Sequence, residues 1–569
     1  MNYYRRCFLE KGSEKKVLSV LETFAKLGNF IDGRKITAVG KKINYYKVFI
    51  PTAGKGSRLG SRMTYFNKTL IKIADKAVIS HTIDAFPTDT EFVIALGYKG
   101  DIVKQYLELT YPERKFTFVW SEKYMGEPGS GPGRAILDCE QHLQCPFYYV
   151  SCDAIVDLEN RLHNQMDWAG TADIDDWEIK DYCTVEVKSD GWGDYEVVGY
   201  HNKSPNGTNN AFTGVAFINN FQFFWERMKK EGITEQQEIQ VSPSILSIPN
   251  ISSWYLDWWD TGTEEGIQKA REHFKGLQNL DKPDEEIYFV NNTAVKYFHN
   301  DSSIRGRIAR NQLLGNAVPK LLGYTKNYYK YEFVEGQDLS TVENIQDTIL
   351  PLLSFSKKHL WEKIELDEIN RAIFRNACLG FYYQKTLTRL NNFYDKSSVV
   401  DREDIINGQS IPKVEDIFKL IDWDWISDGF PCIGHGDLNL SNVLFLRDNS
   451  FKLIDFRQDF GGLVDKFDAY YDFAKLYCSF LLPRQSANDG KFSVVEKDGL
   501  VDTNIEIPET FQKSKEIFEK WIIDEGFDLK KVKVLTAIVF LNMAALHSDP
   551  LNKYLFYFAK QNLYNEING

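Results

Sequence analysis

His435-Gly436-Asp437-Leu438-Asn439-Leu440-Ser441-Asn442 and, further along, Leu453-Ile454-Asp455-Phe456 are the two pieces of sequence on which the reading of this chain turns. Between them, residues 443–447 and 450–454 read as two short strands about a two-residue turn, Asp448-Asn449. Pairing Arg447 with Ser450 across that turn carries Asn442 directly opposite Asp455 in an antiparallel register. The hairpin is therefore expected to set an amide oxygen beside a carboxylate at its open end. Hard oxygen ligands of this kind suit magnesium, which keeps its other positions for phosphate oxygens. Asp437 lies on the loop entering the first strand, where a carboxylate can take the proton of an attacking hydroxyl.

These residue types at this spacing resemble the catalytic Asp, metal Asn and metal Asp of protein-kinase-like phosphotransferases. The His-Gly-Asp form, with Asp472, Ala474 and Lys475 downstream, resembles the aminoglycoside phosphotransferase and choline kinase superfamily. The resemblance spans about residues 286–569 and implies an α+β protein-kinase-like bilobal domain. Within it, residues 286–290, the turn Asn291-Asn292 and residues 293–298 match the strand pair that carries a kinase lysine. That makes Lys296 the expected contact to the ATP phosphates and places Glu332 near the adenine hinge. Two features depart from the family: no glycine-rich loop precedes Lys296, and the expected helix 303–314 carries no glutamate to pair with it.

The chain as a whole sets bounds. Its 569 residues exceed one ordinary core, and 43% hydrophobic with 26% charged residues is the composition of a globular protein. A formal charge of -12 lacks the basic field of a nucleic-acid binder, so nucleotides are better partners than nucleic acids. Eight scattered cysteines without a CxxC pair, and no long apolar run or signal peptide, are expected of reduced thiols in a cytoplasmic protein without membrane insertion. Small-molecule substrates are expected, and a homo-oligomer is left open. Residues 1–46, basic and tyrosine-rich with a helical pattern at 13–27, form an extension to which no chemistry attaches.

From residue 47 a strand, Lys47-Val48-Phe49-Ile50, runs into Pro51-Thr52-Ala53-Gly54-Lys55-Gly56-Ser57-Arg58, where small residues let backbone approach a polyphosphate and Lys55 and Arg58 supply positive charge. Strands at 91–96 and 116–120, alternating with helices at 78–86 and 101–109, give the rhythm of a doubly wound, mostly parallel sheet. A second glycine-rich loop, Gly126 to Ala135, opens another helix. The apolar strand at 147–152 ends on Asp153, at the carboxyl edge where ligands of such sheets gather.

Together with Asn67-Lys68-Thr69 and Trp258-Trp259-Asp260-Thr261-Gly262-Thr263, these motifs resemble, in order, those of the sugar-phosphate nucleotidylyltransferases over about residues 47–273. The resemblance implies a nucleotide held by Ala53, Gly54, Gly56, Ser57 and Gly131, with Arg58 and Lys68 as catalytic cations. It also implies the second substrate's phosphate at Lys203 and magnesium at Asp153 and Asp260. Asn67 stands where the family has proline, and Asn202 where it has glutamate before Lys203. The expected layout is an α/β nucleotidyltransferase domain at 47–275, a linker at 276–286 and the kinase-like domain at 287–569.

Joined on one chain, the two resemblances imply consecutive steps. A hydroxyl is phosphorylated by ATP, and the new phosphate attacks a second nucleoside triphosphate (CTP, UTP, GTP or dTTP) with loss of pyrophosphate, both steps using Mg2+. The intact tryptophan-rich ending favours a sugar phosphate, as in nucleotide-sugar supply for capsule or surface glycan. A choline or ethanolamine kinase joined to a cytidylyltransferase is the alternative, as is a regulatory pseudokinase half.

Overall fold

The computed structural model describes residues 45–158, 165–189, 195–234, 237–276, 284–497 and 499–569; the helical pattern at 13–27 lies outside them. The strand Lys47–Pro51, almost wholly buried, lies inside the sheet of the first half, parallel to Glu91–Leu96 on one side and Phe147–Val150 on the other. Lys115–Trp120 extends the parallel run beyond Glu91–Leu96. Continuous apolar strands of this sort bury both faces under crossover helices, here including Val78–Asp84, Gly100–Thr110 and Pro132–Asp138.

The expectation of a mostly parallel sheet holds only for these four strands. Beyond Phe147–Val150 the sheet continues through Asn210–Ile218, Trp168–Asp173, Ser252–Tyr255, Tyr195–Asn202 and Cys183–Ser189, nine strands in all. In that half only Ser252–Tyr255 on Trp168–Asp173 pairs parallel. An antiparallel pair needs no crossover helix between its strands. A separate ribbon pairs Ala154–Val156 with Trp258–Asp260, and its register sets Asp260 opposite Ala154. Two carboxylates far apart in sequence, Asp153 and Asp260, thereby become neighbours.

The second half opens on an antiparallel sheet ordered Glu285–Val290, Thr293–Phe298, Tyr328–Glu332, Leu321–Tyr324. Asn291 and Asn292, at φ 49 and 56, make the two-residue turn of the first hairpin. The strand starts at Glu285, so the second half begins two residues before the expected 287. Residues 277–283 of the expected linker lie outside the described residues.

One face of this sheet is packed on the first half. Tyr288, Tyr297 and Tyr328 share a core with Tyr106 and Leu107 of the helix Gly100–Thr110. Tyr288 OH donates to Leu70 O (2.7 Å), and Tyr297 OH donates to Tyr65 O (2.6 Å). Lys330 Nζ donates to the carbonyls of Leu109 and Thr110 at the end of that helix. Burying three tyrosine rings and satisfying two of their hydroxyls makes this a structural joint between the halves.

The remainder is largely helical, around Glu368–Leu379, Ala469–Leu481, Glu509–Asp524, Leu529–Ala544 and Leu551–Asn568. Where one helix was expected over 367–386, Glu368–Leu379 passes through a π turn, Gly380–Gln384, into Lys385–Lys396. A small sheet of Asp404–Ile406, Gln409–Ile411, Phe492–Lys497 and Leu500–Ile505 was not expected. Among the described residues no helix is long and apolar enough to cross a membrane.

The hairpin of the catalytic loop differs from expectation by one residue. Val443 pairs with Leu453 and Phe445 with Phe451, and Leu446 N donates to Ser450 O. The turn therefore holds three residues, Arg447, Asp448 and Asn449, with Asn449 at φ 63. An Asn that takes the left-handed conformation closes a three-residue loop as readily as a two-residue one. Asn442 consequently lies opposite Ile454, whose amide donates to Asn442 O (2.9 Å), and Asp455 stands one residue past the pair at φ 55.

Candidate functional site

Two constellations form, one in each half. In the first, Lys68 Nζ lies 2.6 Å from Asp153 Oδ2, and Ser151 Oγ donates to Asp153 Oδ1. Asp260 accepts from Tyr182 OH (2.8 Å) and from Gly262 N (2.9 Å). A Cβ at Gly262 would stand 3.0 Å from Asp260 Oδ1 and 3.2 Å from Asp153 Oδ2, so the two carboxylates converge on the space glycine leaves. Burial pushes Asp153 upward, but the Lys68 ammonium overcomes it and holds the carboxyl below its usual range. Asp260 is raised by burial and then by the charge of Asp153. Two facing carboxylates with a lysine as their countercharge fit a divalent cation whose other ligands are substrate oxygens.

Ala53, Gly54, Gly56, Ser57, Arg58, Lys68, Gly131 and Asp153 line one cavity of about 480 Å³. The second glycine loop is held by a segment the sequence reading passed over. Gly129 N and Gly133 N donate to Gln237 O and Ile239 O, and Ile239 N donates to Ser130 O. Gly131, at φ 101, would place a Cβ 2.9 Å from Glu238 Cβ, which explains glycine there. Glu238 itself lines the cavity.

A second cavity, about 460 Å³, adjoins through Arg58. It holds Asp260 together with Trp177, Glu178, Trp258, Trp259 and Lys269, of which only the Trp258-Trp259-Asp260 run carried a sequence signal. Lys203, at φ 50, is exposed and lines neither cavity. Its amide donates to Tyr182 O, so it sits beside the tyrosine that holds Asp260.

In the second constellation Lys475 Nζ is 2.8 Å from Asp437 Oδ1. Asn442 Nδ2 donates to Asp437 O (2.8 Å) and lies 3.3 Å from Asp437 Oδ2, so one amide fixes the loop and the carboxylate. Burial raises Asp437, and Lys475 more than offsets this, leaving the carboxyl lowered. His435 is fully buried; Asp437 N donates to its Nδ1, so Nε2 carries the proton and donates to Ile454 O (3.0 Å). Asp472 accepts from His435 N, Gly436 N and Trp361 Nε1, clamping the loop from beneath. Burial pushes Asp472 up to about 6.

Lys296 Nζ lies 2.6 Å from Asp455 Oδ1 and 3.7 Å from Glu285 Oε2. The missing helix glutamate is thus answered from the neighbouring strand. The helix Asp301–Leu314 supplies the opposite charge: Arg307 Nη1 is 3.5 Å from Asp455 Oδ1. Arg310 of the same helix is buried, donates to Ile433 O and Gly434 O, and stacks 4.0 Å over Phe467. Glu332 accepts from Lys320 N at the end of its strand. Arg307, Arg310 and Glu285 were missed because a family template directs attention to glutamate on the helix and nowhere else.

Asp455 and the Asn442 side-chain oxygen remain the groups to hold a cation here, the first beside two positive side chains and the second on an amide oriented by Asp437. Among the described residues no group of three or more His, Cys, Asp or Glu comes together as a metal cluster.

No protein-family model matches the chain, and no curated protein does. Among solved structures, UDP-glucose pyrophosphorylase complexed with UDP-glucose is 18% identical, with a TM-score of 0.35, covering 40% of this chain and 98% of that one. A Bacillus anthracis protein assigned as a glucose-1-phosphate thymidylyltransferase is also 18% identical, at 0.35, over 42% and 98%. UDP-glucose pyrophosphorylase from Acinetobacter baumanii is 16% identical, at 0.33, over 40% and 93%. At such identities the activity has to be read from the chemistry of the sites themselves.

Proposed function

We propose that the chain is a bifunctional enzyme that phosphorylates a hydroxyl of a small molecule with ATP and then couples the new phosphate to a second nucleoside triphosphate. The product is a nucleotide-activated sugar of the kind consumed in surface glycan synthesis. The observation that carries the proposal is the meeting of Asp153, Asp260 and Lys68 at the Gly262 gap beneath two glycine-rich loops. A separate proton-accepting constellation at Asp437 supports the first step.

In the phosphorylation step the acceptor oxygen bonds to the γ-phosphorus, the bond to the β-phosphate oxygen breaks, and the acceptor proton goes to Asp437. With Lys475 holding it ionised, Asp437 is a weak base that orients the hydroxyl and takes its proton late. Lys296 and Arg307 offer positive charge to the nucleotide phosphates. In the second step the acceptor's phosphate oxygen bonds to the α-phosphorus and pyrophosphate leaves. A phosphate is already an anionic nucleophile, so Arg58 and Lys68 have charge to neutralise and no proton to move. Magnesium at each carboxylate site would add Lewis-acid stabilisation of the phosphoryl oxygens. The tryptophan faces and carboxylates of the second cavity offer stacking surfaces and hydroxyl acceptors to a sugar ring.

The test is pyrophosphate release measured with a phosphorylated acceptor panel and each of CTP, UTP, GTP and dTTP. Release that depends on one acceptor and one nucleotide, and that falls on Asp260→Asn, supports the transfer step. Release indifferent to Asp153→Asn and Asp260→Asn would refute it.

A further inference from the structure

The loop that carries Asp437 faces more positive charge than its chemistry requires. Lys475 already neutralises Asp437 at 2.8 Å. Three further cations surround the same place: Lys385 and Arg389, one turn apart on the helix Lys385–Lys396, and Arg457, whose amide donates to His435 O. Lys385 Nζ lies 3.7 Å from the Phe381 ring centre and 5.9 Å from that of Tyr471, while the Arg457 guanidinium lies 5.1 Å from Phe381. Phe381 is held in turn against Phe460 and Tyr471.

Among the described residues, the hydrogen-bond partners of Arg389 and Arg457 are neutral. Arg457 Nε reaches Asp459 O and Arg389 Nη1 reaches Asn542 O, both backbone carbonyls, and among the described residues no carboxylate forms an ion pair with Lys385, Arg389 or Arg457. Burial, then the charges of Arg457, Arg389 and Lys475, press Lys385 down to about 6. Asp437 offers Lys385 negative charge from its loop, and Lys475 and Tyr471 face it from the helix Ala469–Leu481. Gathering like charges without counterions in a half-buried place is destabilising; here it drives the proton off Lys385, and an entering anion restores that proton and relieves the cost. The π turn Gly380–Gln384 immediately precedes Lys385 and sets the register in which Phe381 and Lys385 reach the same spot.

We propose that Lys385, Arg389 and Arg457 form an anion-binding subsite beside Asp437, so that the phosphoryl acceptor is a hydroxyl compound carrying a carboxylate or phosphate. This rests on the reading of Asp437 as the phosphotransfer base, and it narrows the substrate: choline and ethanolamine would bring a cation into a cationic pocket.

The test uses the full chain with ATP and magnesium and four probes: D-gluconate and glycerol 3-phosphate as the carboxylate and phosphate arms, glucose as the neutral arm and choline as the cationic arm. Transfer to an anionic probe favoured by about tenfold or more is expected, from the worth of a charge-assisted contact. Lys385→Met or Arg389→Met should then raise the acceptor KM by a similar factor and leave the ATP KM unchanged, with Lys385→Arg retaining binding. Should none of the four accept, slow hydrolysis of ATP by water is the readout. Its inhibition by the two anions in the wild type, relieved in Lys385→Met, supports the subsite. Preference for glucose or choline, or anion effects unchanged in both variants, overturns the subsite while leaving the phosphotransferase reading standing. ATP turnover that is absent, or indifferent to Asp437→Asn, removes the phosphotransferase reading and the subsite with it.

Discussion

Lys296 Nζ sits 2.6 Å from Asp455 Oδ1, and its second carboxylate, Glu285 Oε2 at 3.7 Å, comes from the strand beside it and not from a helix. The helix in that place presents Arg307 to the same Asp455. Nucleotide phosphates arriving here would meet two cations already gathered by one carboxylate, with no glycine-rich loop to cover them. Lys296→Met is therefore expected to raise the KM for ATP by tenfold or more, roughly the loss of one charged contact, while leaving pyrophosphate release from a pre-phosphorylated acceptor unchanged. Initial rates of the two half-reactions measured separately check this.

Asp437→Asn keeps the shape of the loop and removes the proton acceptor. ATP-dependent phosphorylation should fall by about 10²–10⁴-fold, the usual worth of a general base, with nucleotidyl transfer intact. A folded variant that loses both activities would speak against independent sites.

Asp260 is held by Tyr182 and by Gly262 N. Tyr182→Phe should lower nucleotidyl transfer less than Asp260→Asn does, because it frees a carboxylate without removing it. Equal losses in the two variants would show that Tyr182 does more than position Asp260. Steady-state kinetics with varied magnesium separates the two, since a loosened metal ligand shows itself as a raised requirement for the ion.

The joint between the halves carries its own prediction. Tyr288 is 1% exposed, packs edge-on against Tyr106 at 4.9 Å and donates to Leu70 O. Tyr288→Ala should cost about 3–5 kcal/mol, the range for removing a large buried aromatic. The loss should appear in the melting of both halves, followed by calorimetry together with each activity after heating. Destabilisation confined to one half would mean that the shared core does not couple them.

His435 gives a pH dependence whose sign follows from its burial. Burial lowers its folded pKa to about 4 from the ordinary histidine value of about 6.5. The unfolded chain thus takes up a proton that the folded one refuses, and stability is lost as pH falls from 6.5 toward 4, by up to about 3 kcal/mol. Asp472, pushed up to about 6, gains a proton in the folded state over part of that window and works the other way. His435→Asn removes the first contribution only. Chemical denaturation at pH 4.5 and 7 should therefore show a smaller acid loss in the variant than in the wild type.

Much of this was legible in the sequence because the signals were local. Gly54, Lys68, Asp153 and Asp260 sit in short motifs whose residue types state their chemistry, and the structure brings the last three together. Asp437 and Asn442 stood out for the same reason, and the structure sets the Asn442 amide on the Asp437 carbonyl. The hairpin register was not, because Asn449 is compatible with either a two- or a three-residue turn and only the pairing of Val443 with Leu453 decides between them. Nor was the shared core. Alternation shows that Tyr288, Tyr297 and Tyr328 face something, and tyrosines facing another domain read the same as tyrosines facing their own. Lys385 and Arg457 were invisible for a further reason: scattered cations resemble a solvated surface until a fold gathers them on one phenylalanine.

The most direct test of the account is one incubation of the full chain with ATP, magnesium, one of the four second nucleotides and an unphosphorylated acceptor, scored by product mass. The account predicts a nucleotide-linked product that requires ATP and the acceptor together and that disappears in Asp437→Asn but returns when phosphorylated acceptor is supplied. A product formed equally well by Asp437→Asn from the unphosphorylated acceptor would contradict it.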